Sequence, residues 1–212
     1  WFDWYLKGEG REPELHVEIQ SNQGSWRTED RYPASDTTEL IFELGTDLNL
    51  VSGSSSVLPD SSSGPVYESA PLSEDMYLQG LPRFHVEVRT SSYGGQLYAL
   101  LEDCDGSYCI HIGHAIMDLR YHEGGEELSP SWIPNFETIT ARMEFIALDA
   151  EIPEGHTIRL SLKSTGEDYL PASTSSIVTV LEGSGSTLQL DTFNPEDRRY
   201  WDPPVCTHAV CE

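Results

Sequence analysis

The chain has 212 residues and a formal net charge of −24, from 36 Asp and Glu against 12 Lys and Arg. A field of that sign repels nucleic-acid phosphates and anionic lipid, which argues against a nucleic-acid or membrane-surface role. No apolar run approaches the ~20 residues that a membrane span requires.

The length fits one large all-β domain or two small ones, either of which can bury a proper core. Lys7 and Lys163 are the lysines; the other basic residues are arginine. The acidity reads as an adaptation for solubility or a saline habitat, with recognition of a cationic partner as the alternative. The chain opens on Trp1 without a methionine, so an upstream part is expected to have been removed or omitted.

In chain order, the aromatic-rich Trp1–Leu6 followed by Lys7-Gly8-Glu9-Gly10 predicts the last turns of a helix with a glycine stop. Leu15–Ile19 alternates as a strand. Gly24-Ser25-Trp26-Arg27 reads as a loop with a buried aromatic anchor, and Thr38–Leu44 as a further strand. Ser52–Pro65 is rich in Ser, Gly and Pro and reads as a surface loop. Strands resume at Met76–Leu78 and continue through Phe84, Val86 and Val88, then Gln96–Asp103. A turn at Asp105-Gly106 leads into Tyr108–Leu119. Gly124–Pro134 reads as a loop. Ile139–Leu148, His156–Lys163, Ile177–Leu181 and Thr187–Thr192 complete the pattern. Around ten strands, with no helix beyond the first turn, predict an all-β, two-sheet sandwich.

Four cysteines form two pairs of equal spacing, Cys104 with Cys109 and Cys206 with Cys211. Short-loop disulfides suit this spacing and favour an oxidising, secreted or cell-surface setting. A zinc site using Cys109, His111, His114 and His208 is the sharper alternative, although no zinc-finger spacing is matched; reduced structural thiols are the third.

Sequence motifs for catalysis are missing. There is no Gly-x-Ser-x-Gly elbow, no P-loop and no His-Glu-x-x-His pair. Glu102–Gly106 lacks the distal carboxylate of a calcium loop and reads as a hairpin turn. Glu126-Glu127 reads as a solvated face. His85, His111, His114, His122 and His156 lie in or beside strands without a matching nucleophile. Trp26, Trp132 and Trp201 offer either a sugar-stacking platform or buried anchors. The sequence predicts no cofactor and no metal.

Several segments together resemble the C-terminal jelly-roll domain of the X-Pro dipeptidyl-peptidase and cocaine esterase (CocE/NonD) serine hydrolases. Trp1–Gly8 is similar to the segment that ends the hydrolase domain in that family. Gly24-Ser-Trp-Arg27 with Tyr32-Pro33 resembles the family's early signature, with Tyr32 in place of the usual tryptophan. Thr38–Leu44, Ala70-Pro71-Leu72, Leu78-Gln-Gly80 and Phe84–Ser92 follow in the family's order. So do Leu100–Gly106, Gly113–Tyr121, Ile152–Ser164 and Asp168–Pro171.

The resemblance implies a galactose-binding-like jelly roll over residues 11–195. Residues 1–10 would end an upstream α/β-hydrolase domain, and 196–212 would form a tail. It implies acyl transfer to water in the parent protein, with cleavage of X-Pro dipeptides or of an ester or amide. The family's Ser-Asp-His triad lies upstream, so no catalytic residue maps onto this chain. The upstream domain, in the same or a separate chain, is the expected partner, and a homo-oligomer is left open. Val57 and Leu58, adjacent apolar residues in the polar 52–65 loop, are the candidates for walling the substrate cleft. Packing of the pair on the sandwich's own edge is the alternative. A free-standing carbohydrate-binding sandwich and an adhesion module are the rival functions.

Overall fold

Alternation in the sequence becomes burial in the computed structural model, which describes residues 2–12, 16–45, 50–52, 57–58, 64–123, 131–166, 169–170 and 176–201. Strand β8 (Arg83–Thr90) buries Phe84, Val86, Val88 and Thr90 on one face. It runs on from β7 (Met76–Gly80) across Leu81 and Pro82. On one side this spine pairs with β12 (Leu148–Ile152) and β11 (Thr138–Glu144), with Ala150 opposite Leu78 and Met143 opposite Phe84. On the other side lie β14 (Val178–Leu181) and β15 (Gly183–Thr192), with Val180 opposite Val88 and Leu188 opposite Phe84. Strand β3 (Thr38–Leu44) flanks β15, and the short β5 (Val57–Leu58) flanks β14.

The second sheet is antiparallel in the order β10 (Cys109–Asp118), β9 (Gln96–Cys104), β13 (Thr157–Lys163), β6 (Val66–Ser69) and β4 (Leu50–Ser52). Its inward side chains, among them Leu97, Ala99, Leu101, Ile158, Leu160 and Leu162, meet Phe84, Val86, Val88, Val180 and Leu188 in one core. The protein is an all-β sandwich, as the alternation predicts.

Ile139–Leu148, expected as one strand, is two. Between them Phe145 N–H donates to Pro82 O at 2.8 Å, and Ile146 N–H crosses to His114 O at 3.0 Å, tying the two sheets together. Only Glu182 separates β14 from β15, and within β15 the register against β3 slips between Gly183 and Thr187. Here the buried Ser186 hydroxyl accepts from Glu87 N–H at 3.0 Å and donates to Leu181 O. One side chain thus replaces the ladder bonds that the bulge removes.

A third sheet, absent from the sequence reading, joins β1 (Val17–Gln20), β2 (Trp26–Glu29) and β16 (Arg199–Trp201). Residues 24–27 were expected as a loop with a buried tryptophan. Instead β2 starts at Trp26, which is half-buried, and the residue driven inside is Arg27, only 1% exposed. The last described strand therefore returns to β2, where Trp26 stands opposite Trp201 with ring centroids 5.5 Å apart.

An ionic cluster holds this small sheet on the sandwich. Arg27 Nε donates to Glu29 Oε1 at 2.9 Å, Nη1 to Asp149 Oδ1 at 2.7 Å, and Nη2 to Asp149 Oδ2 and to Gln79 Oε1. Its guanidinium lies 4.3 Å from the centroid of the Phe193 ring. Arg198 Nε approaches the same Glu29 Oε1 at 2.8 Å, and its two Nη atoms hold Asp36. Burial works against the charge on Arg27, but the hydrogen bonds from Asp149 and Glu29 outweigh it and raise its pKa above the ordinary arginine value.

Beside the cluster, after a cis Tyr32–Pro33 bond, the Tyr32 hydroxyl accepts from Gly80 N–H at 2.9 Å and donates to Leu148 O at 2.5 Å. Gly80 has φ +101°, and a Cβ there would stand 3.3 Å from the Pro33 ring. Both its conformation and the close approach call for glycine.

Removing Arg27 strands the buried Asp149 carboxylate and leaves Glu29 with Arg198 alone. Arg27→Ala is expected to lower the unfolding free energy in urea by about 3–5 kcal/mol; a loss below about 1 kcal/mol would place the cluster with ordinary surface pairs. Ser186→Ala removes the acceptor of the part-buried Glu87 N–H. A loss of about 1–3 kcal/mol is expected in the same measurement.

Candidate functional site

At the end of the sandwich where β8 finishes, the Thr90–Gly95 turn gathers segments from several strands. Phe136 N–H donates to Thr90 O at 2.8 Å. Ser91 N–H donates to Ile177 O at 2.9 Å, and Ile177 N–H returns to Ser91 Oγ at 2.8 Å. Ser131 N–H donates to Arg120 O at 2.7 Å, and Leu119 N–H to Gly95 O at 2.9 Å. Backbone bonds thus fix the loops that carry this end's side chains.

Those side chains are apolar and face outward. Tyr93 and Trp132 stack with centroids 4.9 Å apart and planes 10° from parallel, and Trp132 remains 73% exposed. Phe136 is 66% exposed and Ile177 is exposed beside it along the turn. Phe136 also has φ +61°, a left-handed conformation that costs a non-glycine residue about 1–2 kcal/mol. An exposed aromatic held in a strained backbone is a poor choice for stability alone.

The polar border is an ion pair. Asp118 caps the 3₁₀ turn Leu119–Tyr121 through Arg120 N–H, and Arg120 Nη2 meets Asp118 Oδ2 at 2.5 Å. Burial opposes ionisation of Asp118, yet the Arg120 hydrogen bonds outweigh it and hold its carboxyl below the ordinary value. This end offers a stacking and packing surface rather than an activated nucleophile.

The sequence-derived candidates fall in different places. Val57 and Leu58 were expected near the tip of a loop. Their backbone instead forms β5, in register with Thr179 and Val178, so it runs beside the aromatic end through Ile177 and Ser91. Cys104 and Cys109 are disulfide-bonded across the Asp105-Gly106 turn. Cys206 and Cys211 lie outside the described residues.

The tryptophans do not form one platform. Trp26 and Trp201 pair in the small sheet on Asp149, whereas Trp132 sits by the far end of β8. His156 Nδ1 and the buried Asp103 Oδ1 are 2.7 Å apart, but adjacent Cys104 is locked in the disulfide and has no thiol to activate. Among the described residues no group of three or more His, Cys, Asp or Glu converges as a metal site, and no helix is long and apolar enough to cross a membrane. The sequence reading missed Tyr93 and Phe136. Isolated aromatics in loops look alike until the turns that carry them are brought together.

Comparison with known proteins yields one family and a consistent set of structures. The family of the X-Pro dipeptidyl-peptidase C-terminal non-catalytic domain matches residues 8–200. No curated protein matches the chain. Among solved structures, a CocE/NonD family hydrolase from Staphylococcus aureus superposes with TM-score 0.68 at 13% identity, over 91% of this chain and 44% of its own. An aminopeptidase from a marine sediment Thaumarchaeota archaeon gives TM-score 0.69 at 13% identity, over 91% and 43%. An α-amino acid ester hydrolase gives TM-score 0.66 at 14% identity, over 91% and 43%. At such identity these likenesses speak for the fold, and the chain spans less than half the length of each. With the family match extending over nearly all of the sandwich, the chain belongs to the X-Pro dipeptidyl-peptidase C-terminal non-catalytic domain family.

Proposed function

We propose that this chain serves an upstream α/β-hydrolase domain of the dipeptidyl-peptidase or acyl-esterase type, stabilising it and walling part of its substrate cleft. In this reading residues 1–10 end the catalytic domain and the sandwich runs from 11 past the expected limit of 195, because Arg199–Trp201 pairs with β2 rather than lying in a tail. The carrying observation is the exposed Tyr93–Trp132 stack with Phe136 held at positive φ. Apolar surface fixed by backbone bonds and left in water is stabilised by a partner. Each matched structure extends over more than twice the length that this fold covers, which leaves room for such a partner. The exposed Phe2 and Leu6 of the single helical turn Asp3–Lys7, which ends at Gly8 with φ +70°, fit a junction that also packs on that domain.

The paired substitution Trp132→Ser with Phe136→Gly separates this role from a structural one. In the chain alone it should leave stability unchanged or raise it slightly, because glycine accepts the positive φ. In the two-domain parent it should lower the melting temperature and split one calorimetric transition into two. An unchanged single transition in the parent would remove this end as the docking face.

For the cleft, the β5 ribbon is the candidate, since it borders the same end. Val57→Ser with Leu58→Ser in the parent enzyme is expected to change the ratio of kcat/KM between bulky and small acyl substrates by about 10-fold, the scale of a lost apolar contact or two. A kcat/KM left unchanged by the substitutions for both bulky and small substrates would exclude a wall at β5.

A further inference from the structure

On β10 the register slips between His111 and Gly113. Residues three apart on an unbroken strand point to opposite faces. The bulge cancels that, and His114 Nδ1 comes within 3.2 Å of His111 Nε2. The His114 ring is held from other directions as well. Its Nε2 lies 2.8 Å from the Tyr169 hydroxyl, and Tyr98 stacks on it at 5.7 Å between centroids. Tyr169 N–H donates to Gly166 O at 3.1 Å, and Gly166 packs on Tyr98, where a Cβ would stand 2.6 Å from the ring. The His111 ring is exposed and is the adjustable partner.

Two ring nitrogens this close share one proton, one acting as donor and the other as acceptor. The same separation suits chelation. Two nitrogens 3.2 Å apart, each ~2.0–2.1 Å from one ion, subtend about 100° at it, between tetrahedral and octahedral values. The exposed His111 needs only to carry its proton on Nδ1 to free Nε2. With the ion on His114 Nδ1, the proton on Nε2 donates to the Tyr169 oxygen, the outer-shell bond that orients ligating histidines. Imidazole pairs select copper, nickel and zinc over calcium and magnesium, which prefer oxygen. A net charge of −24 raises the local concentration of any cation.

We propose that His111 and His114 form a two-imidazole site for a divalent transition-metal ion, with Tyr169 positioning His114. No third His, Cys, Asp or Glu among the described residues closes the shell. This inference is independent of the docking role.

Copper(II) chloride titrated into the chain, followed by electron paramagnetic resonance and calorimetry, tests it. The expected spectrum shows coupling to imidazole nitrogens. His111→Ala and His114→Gln should each weaken binding by about 10-fold or more, and Tyr169→Phe by up to about 10-fold. His85→Ala should have no effect. Because His111 is exposed, His111→Ala keeps the fold, which circular dichroism checks. A wild-type spectrum without nitrogen coupling overturns the site. So does an unchanged spectrum and affinity when both His111 and His114 are replaced, which would assign the copper to other groups of this acidic chain.

Discussion

The larger sheet of the sandwich is registered against the β7–β8 spine. This spine pairs with β11 and β12 on one side and β14 and β15 on the other, so a slip of one residue would turn Phe84, Val86 and Val88 out of the core. The opposing sheet has no freedom to compensate, because Leu101, Leu160 and Leu162 fill the space facing those side chains. Each neighbour is interrupted once. Phe145–Ile146 breaks β11 from β12, and Glu182 parts β14 from a β15 that bulges between Gly183 and Thr187. The breaks let two long twisted strands bend around a shared core, with the lost ladder bonds taken up by Pro82 O, His114 O and Ser186 Oγ.

Charge inside the protein serves position more than net stability. Arg27 joins Glu29 of its own strand to Asp149 and Gln79 of the main sheet, which specifies where the small sheet sits. Such a cluster tolerates no partial removal, because the desolvation of each member is offset only by the others. Arg198 extends it to Asp36, so the last strand, β16, is drawn onto β2 by the same carboxylate that holds Arg27. Asn22 completes the join by bonding both polar groups of the Glu151 backbone at the open edge of β12.

The two ends of the spine accordingly differ in character. Near Gln79 and Asp149 the sandwich is closed by its own third sheet, with ions and a tyrosine hydroxyl satisfying the exposed backbone. Near Thr90 the loops are equally well bonded, yet they present Trp132 and Phe136 to water. A surface that is rigid and apolar loses little entropy on docking, the condition for a permanent contact with a second domain.

The sequence by itself determined the fold class. Period-two alternation at Phe84–Val88, Ile158–Leu162 and Leu188–Leu190 can bury only one face of a strand, and the turn residues Asp105-Gly106 join β9 to β10. Ordered motifs from Trp1 to Pro171 carried the family resemblance. The candidate site was less legible, because its residues lie in loops where no period constrains them. Trp132 was visible only as one of several tryptophans, and Tyr93 and Phe136 not at all. Tertiary structure alone decided that Arg27 rather than Trp26 enters the interior, since a buried guanidinium depends on Asp149, far away in the chain. It also decided that Val57 and Leu58 form an edge strand and that a bulge brings His111 to His114. Each of these rests on partners remote in sequence or on a slip of register, and local pattern carries neither.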